Sequence, residues 1–143
     1  MRGSDSLVGT WALVAARSTS DNSVDEAPFG ESPRGVLVYT ADSRVVALIS
    51  YSGRDHLSGD RISAPAHERA EAFASFFAYA GRYDVQDGRV VHHVEIASVE
   101  NWVGTDLVRV LQLDGPTLRL RTPPVSVGGQ TRVTELDWTR LED

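Results

Sequence analysis

A chain of 143 residues with 41% hydrophobic content is long enough for one domain with a real core and too short for two comfortable ones. Its 20 acidic and 14 basic residues leave a net charge of -6, and no Lys/Arg cluster breaks that balance, which argues against a nucleic-acid or anionic-membrane partner. With no cysteine there is neither a disulfide framework nor a thiolate metal site, and with no apolar run of signal-peptide or membrane-spanning type the chain is expected to be cytoplasmic.

Period-two patterning dominates from the start. Leu7 to Arg17, LVGTWALVAAR, is apolar and β-favouring and predicts a first strand. STSDNSVDEAPFGESPRG follows, rich in Ser, Asp, Pro and Gly, and predicts a long loop with no element of its own. VLVYTADSRVVALISYS predicts a hairpin about Ala41-Asp42-Ser43, and GRDHLSGDRISAP a second polar loop. In AHERAEAFASFFAYAG, the residues Ala70, Phe73, Phe76, Phe77 and Tyr79 or Ala80 recur at helical spacing. They predict one helix over about 66–80, with Gly81 as its C-terminal cap and the phenylalanines holding it against the rest. RYDVQ, RVVHHVEIAS, DLVRVLQLD and TLRLRT predict four further strands joined by Asp87-Gly88 and Asp114-Gly115-Pro116. The turn-rich PPVSVGGQ and a last strand, RVTELDWTRL, complete the chain. Eight strands in sequential order with one helix predict a mainly β, single-domain, up-and-down antiparallel barrel, because closure removes exposed edges.

LVGTW, VLVYTAD, FFAYAGRYDV, VVHHVEIASVENWVGTD and LQLDGPTLRLRTPP, in that order and over nearly the whole chain, resemble the bacterial lipocalin-like domain family of small stand-alone calycin-type barrels. The resemblance implies an antiparallel barrel with an internal cavity, and some barrels of this kind act in biosynthesis as cyclases or isomerases. Two stretches depart from the pattern: the long charged connection from Asp21 to Gly35, and the glycine-rich Pro123 to Gln130.

The ends of the barrel have their own signature. Gly9-Thr10-Trp11 sets a large aromatic on the first strand, and Arg140 on the last strand could lay its guanidinium across that indole and plug one end. Trp138 shares a face with Arg140 unless the alternation breaks there.

His92 and His93 are adjacent, so in a strand they point to opposite faces and cannot form a ligand pair without a bulge. A two-residue turn at Asp87-Gly88 sets Val85 against Val90, Tyr83 against His92 and Arg82 against His93. One face then carries Tyr83, Val85, Val90, His92, Val94 and Ile96, and the other Arg82, Asp84, Val91, His93 and Glu95. Burial favours the first face in the lumen and leaves His93, Glu95 and Arg82 as an outer patch; a one-residue slip would exchange the roles. His92 is then either a core histidine bonded to Tyr83 or a backbone carbonyl, or one of the polar groups that orient a ligand or move a proton.

Arg109 shares a face with Leu107, Leu111 and Leu113. It could fix a carboxylate, enolate or carbonyl oxygen in the lumen, unless Val108 and Val110 are the buried side. The candidate catalytic set is His92, Tyr83 and Arg109, and the candidate ligand wall is Tyr39, Tyr51, Val94, Trp102 and Leu13. No nucleotide loop, nucleophile elbow or metal motif is present, and His56 and His67 have no geometry toward His92, so no metal and no cofactor are expected. Two functions stand side by side. One is a cofactor-independent cyclase or isomerase acting on a polyketide- or terpenoid-like intermediate; the other is a carrier or sensor of a hydrophobic small molecule. A homodimer is left open.

Overall fold

The computed structural model describes residues 6–21 and 23–142, and among these are ten strands, one nine-residue α-helix, the helical residues Ser6 and Leu7, and a short 3-10 turn at Glu100–Trp102. In chain order the strands and the α-helix are β1 (Gly9–Ser20), β2 (Ser23–Asp25), β3 (Arg34–Tyr39), β4 (Arg44–Ser50), α1 (Ala66–Ala74), β5 (Phe76–Gln86), β6 (Arg89–Ala97), β7 (Asp106–Asp114), β8 (Thr117–Arg121), β9 (Val125–Val127) and β10 (Gln130–Arg140). Neighbouring strands run β1-β3-β4-β5-β6-β7-β8-β10, and β10 pairs back onto β1, so eight strands close into the expected antiparallel barrel. The expectation that touches residues 1–5, the absence of a leader, lies outside the described residues. No helix among the described residues is long and apolar enough to cross a membrane.

Alternation is plain on β4, where Val45, Ala47 and Ile49 are buried while Val46 and Leu48 face outward. Leu37, Val90, Leu118 and Leu120 join them in a core that lines the inside of the cylinder. The β5–β6 hairpin has the anticipated register, Val85 against Val90, Tyr83 against His92 and Arg82 against His93. Its turn residues Asp87 and Gly88 both have positive φ, 55° and 74°, the twist that suits two right-handed strands.

One end of the barrel is plugged as the sequence suggests. Trp11 and Arg140 are register partners, and the guanidinium carbon lies 4.3 Å from the indole centre. Arg140 also donates to the carbonyls of Val8, at 2.7 Å, and Ser6, while the Trp11 indole donates to the Leu7 carbonyl at 2.9 Å. Gly9, at φ 141°, makes room for this: a Cβ there would stand 2.8 Å from Nη1 of Arg140.

Three expectations are corrected. The helix ends at Ala74, and Phe76, Phe77, Tyr79 and Ala80 belong to β5, paired with Ser50, Ile49, Ala47 and Val46 of β4. Helical and strand spacing overlap in this segment, and pairing decides the matter, since a longer helix would strip β4 of its partner. Phe73 accordingly stands 61% exposed instead of clamping the helix. Gly81 is no helix cap: it is buried in β5 beside a bulge, and a Cβ there would collide with the His93 carbonyl oxygen. That bulge leaves Glu95 without a partner across the pair, so Ile96 turns outward, 67% exposed, and Ala97 takes the inner position. Finally, β1 runs on to Ser20 and pairs with β2 inside the stretch expected to be bare loop, and PPVSVGGQ supplies β9.

Candidate ligand-binding site

A cavity of about 480 Å3 opens inside the barrel, away from the plugged end. Leu37, Ala47, Ile49, Phe77, Leu107, Leu120 and Leu136 give it apolar walls, and Phe29, Tyr51, Phe73, Phe76, Val99 and Trp102 stand around its mouth side. The aromatics brace one another: Phe29 lies 4.9 Å from Tyr51 and 5.9 Å from Phe77, and Trp102 meets Phe77 edge-on at 5.6 Å, all between ring centres. Tyr79, His92, Arg109, Thr122, Thr134 and Trp138 add polar groups to this lining.

His92 is 1% exposed and is held at both ring nitrogens. The Tyr79 hydroxyl lies 2.7 Å from Nδ1 and the Tyr39 hydroxyl 2.7 Å from Nε2. Burial, with the Arg109 guanidinium and His93 adding to it, pushes the pKa of His92 down to about 3, so at neutral pH the ring is uncharged, with one N–H donor and one bare acceptor. Burial also raises Tyr39 well above its ordinary value and Tyr79 above its own, in the latter case against the pull of Arg109, so both remain hydroxyls. The tautomer follows. Among the described residues Tyr39 has no hydrogen-bond partner other than His92, so its O–H donates to Nε2 and Nδ1–H donates to Tyr79. The reverse arrangement would leave a buried tyrosine proton without an acceptor, at about 1–3 kcal/mol. The Tyr79 oxygen thus accepts from His92 and from Arg109, which leaves its own proton to donate, on a residue that lines the cavity.

Arg109 donates to the backbone carbonyl of Val108 at 3.0 Å, and no carboxylate stands among the described residues around the cavity. On the β8–β10 wall the Thr134 amide donates to the Thr122 hydroxyl at 3.0 Å, and the buried indole N–H of Trp138 has no partner among the described residues. No three His, Asp or Glu side chains among the described residues converge as metal ligands would.

Residues 8–141 match the lipocalin-like domain family. The chain belongs to that family. This lipocalin-like protein is also 34% identical over 100 residues to the 4'-hydroxy-3'-methoxypropiophenone carrier protein ppsC of Aspergillus oryzae, a match covering 64% of this chain and 86% of that one.

Of the residues singled out in the sequence, the lipocalin-like barrel brings His92, Arg109, Tyr51 and Trp102 to the cavity. Arg109 faces the lumen, which settles the orientation its strand left open. Tyr39 is not on the cavity surface but stands behind His92 as its support. Tyr83 is elsewhere: it pairs across the hairpin with His92, yet its hydroxyl donates to the Thr40 carbonyl at 3.1 Å, away from the cavity lining. The anticipated His92–Tyr83 bond is thus replaced by bonds to Tyr79, four residues along β5 from Tyr83, and to Tyr39 on β3, which β4 and β5 separate from β6 in the sheet, while the Tyr83 hydroxyl is engaged by the Thr40 carbonyl. Val94 and Leu13 belong to the core and its flank, not to the cavity wall. On the outside, His93 lies between Asp106, 2.8 Å from Nδ1, and Asp84, 2.7 Å from Nε2, while Glu95 pairs with Arg44 at 2.9 Å. Sequence reasoning passed over Tyr79, although Tyr79, Gly81 and Tyr83 already share one face at period two.

Proposed function

We propose that this lipocalin-like protein carries a small, predominantly apolar organic molecule in the barrel lumen. The observation that carries the proposal is the cavity of about 480 Å3, within the range of small-molecule sites, apolar over most of its wall and furnished with a few donors. The name of its Aspergillus oryzae relative, a carrier of an aryl ketone, supports the same reading. Carriage is preferred to cyclisation or isomerisation because His92, the one imidazole at the cavity, has both nitrogens engaged and a pKa near 3. It has no free lone pair with which to take a proton at neutral pH.

The test is titration with 4'-hydroxy-3'-methoxypropiophenone and with apolar aromatic ketones of similar size, followed through tryptophan fluorescence. Trp102 lies at the cavity, so saturable binding of one molecule per chain should change the emission, and Trp102→Phe should abolish most of the change. Chromatography of the released compound should return it unaltered. An altered compound would favour the cyclase or isomerase reading, and the absence of saturable binding by any of these compounds would remove lumen binding altogether.

A further inference from the structure

Outside the lumen, exposed Arg54 bonds to a hydroxyl and a backbone carbonyl, while several other arginines find carboxylates: Arg17 meets Glu135 at 2.9 Å and Asp137 at 3.1 Å, Arg44 meets Glu95 at 2.9 Å, and Arg119 meets Asp137 at 2.7 Å. Arg109 does not, although the chain has more acids than bases. It is the one charged side chain among the described residues lining the lumen, and it donates to the Val108 backbone carbonyl and to the Tyr79 hydroxyl oxygen, both neutral acceptors. A guanidinium has five N–H donors, and keeping a charge in apolar surroundings without a counter-ion is unfavourable. Directly against it stands Tyr79, whose oxygen accepts from both Arg109 and His92 and whose own proton is left to donate. The polar groups of the cavity therefore offer positive charge and O–H and N–H donors, while Leu37, Ala47, Ile49 and Phe77 add only apolar surface.

We propose that the guest of the lumen is an organic acid, a molecule with one anionic oxygen-bearing group on an apolar body, and that Arg109 and the Tyr79 hydroxyl bind that group. This rests on the lumen-binding reading above and adds to it the charge of the ligand and the residues that select it. A neutral His92 serves the arrangement as a positioning residue: it fixes the tyrosine oxygen from behind, so that the hydroxyl proton points to the guest. Arginine suits the role better than lysine because its planar fork can grip two oxygens of one anion at once.

A matched pair of fluorescent probes tests this. N-phenyl-1-naphthylamine is neutral, and 8-anilino-1-naphthalenesulfonate is the same ring system with an anionic sulfonate added. The wild-type protein should bind both at one shared site, shown by mutual displacement, and the sulfonate more tightly. Arg109→Met should weaken sulfonate binding by about tenfold or more, as loss of a charge-assisted hydrogen bond does, and leave the neutral probe within about twofold. Tyr79→Phe should weaken the sulfonate by a smaller factor in the same direction. Arg109→Lys should retain part of the preference. Rising salt should weaken the sulfonate alone in the wild-type protein, a readout that stands even where Arg109→Met fails to fold. Equal affinity for the two probes, insensitive to salt and to Arg109, would overturn the acid proposal while leaving lumen binding in place. Failure of both probes to saturate or to displace each other would overturn the lumen-binding reading beneath it.

Discussion

Lowering the pH should weaken the fold through His92 in a way that can be isolated. In the unfolded chain its imidazole titrates near 6.5, and in the barrel burial holds it down to about 3. Between those values the unfolded state takes up a proton that the folded state refuses, so stability falls as the pH drops from about 6.5 toward 3. At pH 5 the unfolded group is about 1.5 units below its midpoint, which at about 1.4 kcal/mol per unit amounts to about 2 kcal/mol; near pH 3 the full difference approaches about 5 kcal/mol. Against a typical total of about 5–15 kcal/mol, the smaller figure is already measurable. The assay is urea unfolding at pH 7 and pH 5 for the wild type and for His92→Gln, an amide that offers one donor and one acceptor to the two tyrosines but does not titrate. Other titrating groups are common to both proteins and cancel in the comparison. The wild type should lose about 2 kcal/mol more than the variant on going from pH 7 to pH 5. Equal losses would show that His92 is not held neutral, and with that the assigned tautomer and the free Tyr79 proton would fall.

His93 should show the opposite sign. Its bonds to Asp106 and Asp84 raise its pKa, so its stabilising contribution is complete below about 6.5 and fades as the pH rises through the raised value; His93→Gln should therefore be more harmful at pH 6 than at pH 9 by urea unfolding, and a uniform loss would contradict the ion-pair account. Gly81→Ala drives a methyl group into the His93 carbonyl and should lower stability by at least about 2 kcal/mol in the same assay, with a neutral result ruling out the bulge as described. Arg140→Met removes two bonds to backbone carbonyls and a cation–π contact. A loss of about 2–4 kcal/mol is expected, and a change under about 0.5 kcal/mol would mean that the plug is ornamental. Long-range nitrogen–proton NMR should find His92 protonated at Nδ1 and bare at Nε2; a proton on Nε2 would reverse the roles given to Tyr39 and Tyr79.

The features legible in the sequence are those set by local chemistry. Asp87-Gly88 allows a two-residue turn, that turn fixes the register of β5 on β6, and the register fixes which of the two histidines goes inside. Trp11 and Arg140 could be matched because closure of a barrel makes neighbours of its first and last strands. The partners of His92 were not legible in the same way. Tyr39 is 53 residues away, and nothing local says that β3 will bring it to Nε2. Tyr79 was hidden differently, by a segment whose aromatics suit a helix at one spacing and a strand at another. The choice between them rests on whether β4 has a partner, a property of the assembled sheet.

The bulge at Gly81 ties the two kinds of information together. Without an unpaired Glu95, the strict alternation of β6 would continue inward with Ile96, opposite Tyr79. With it, Ala97 takes that place and Ile96 turns out. Exchanging a branched side chain for a methyl group opens space beside the Tyr79 ring, and Trp102 meets that ring edge-on with 6.1 Å between centres. Glu95, outward by simple alternation after Val94, pairs with Arg44 and Arg82 at 2.9 and 3.8 Å, so that a carboxylate two positions beyond His93 stays with partners on the outer surface. A barrel of this strand number can fill its interior with side chains or keep room for one small guest. Here the backbone irregularity favours room, and it does so beside the hydroxyl that His92 orients. The glycine whose missing Cβ permits the bulge is thus as much a determinant of the cavity's shape as the residues that line it.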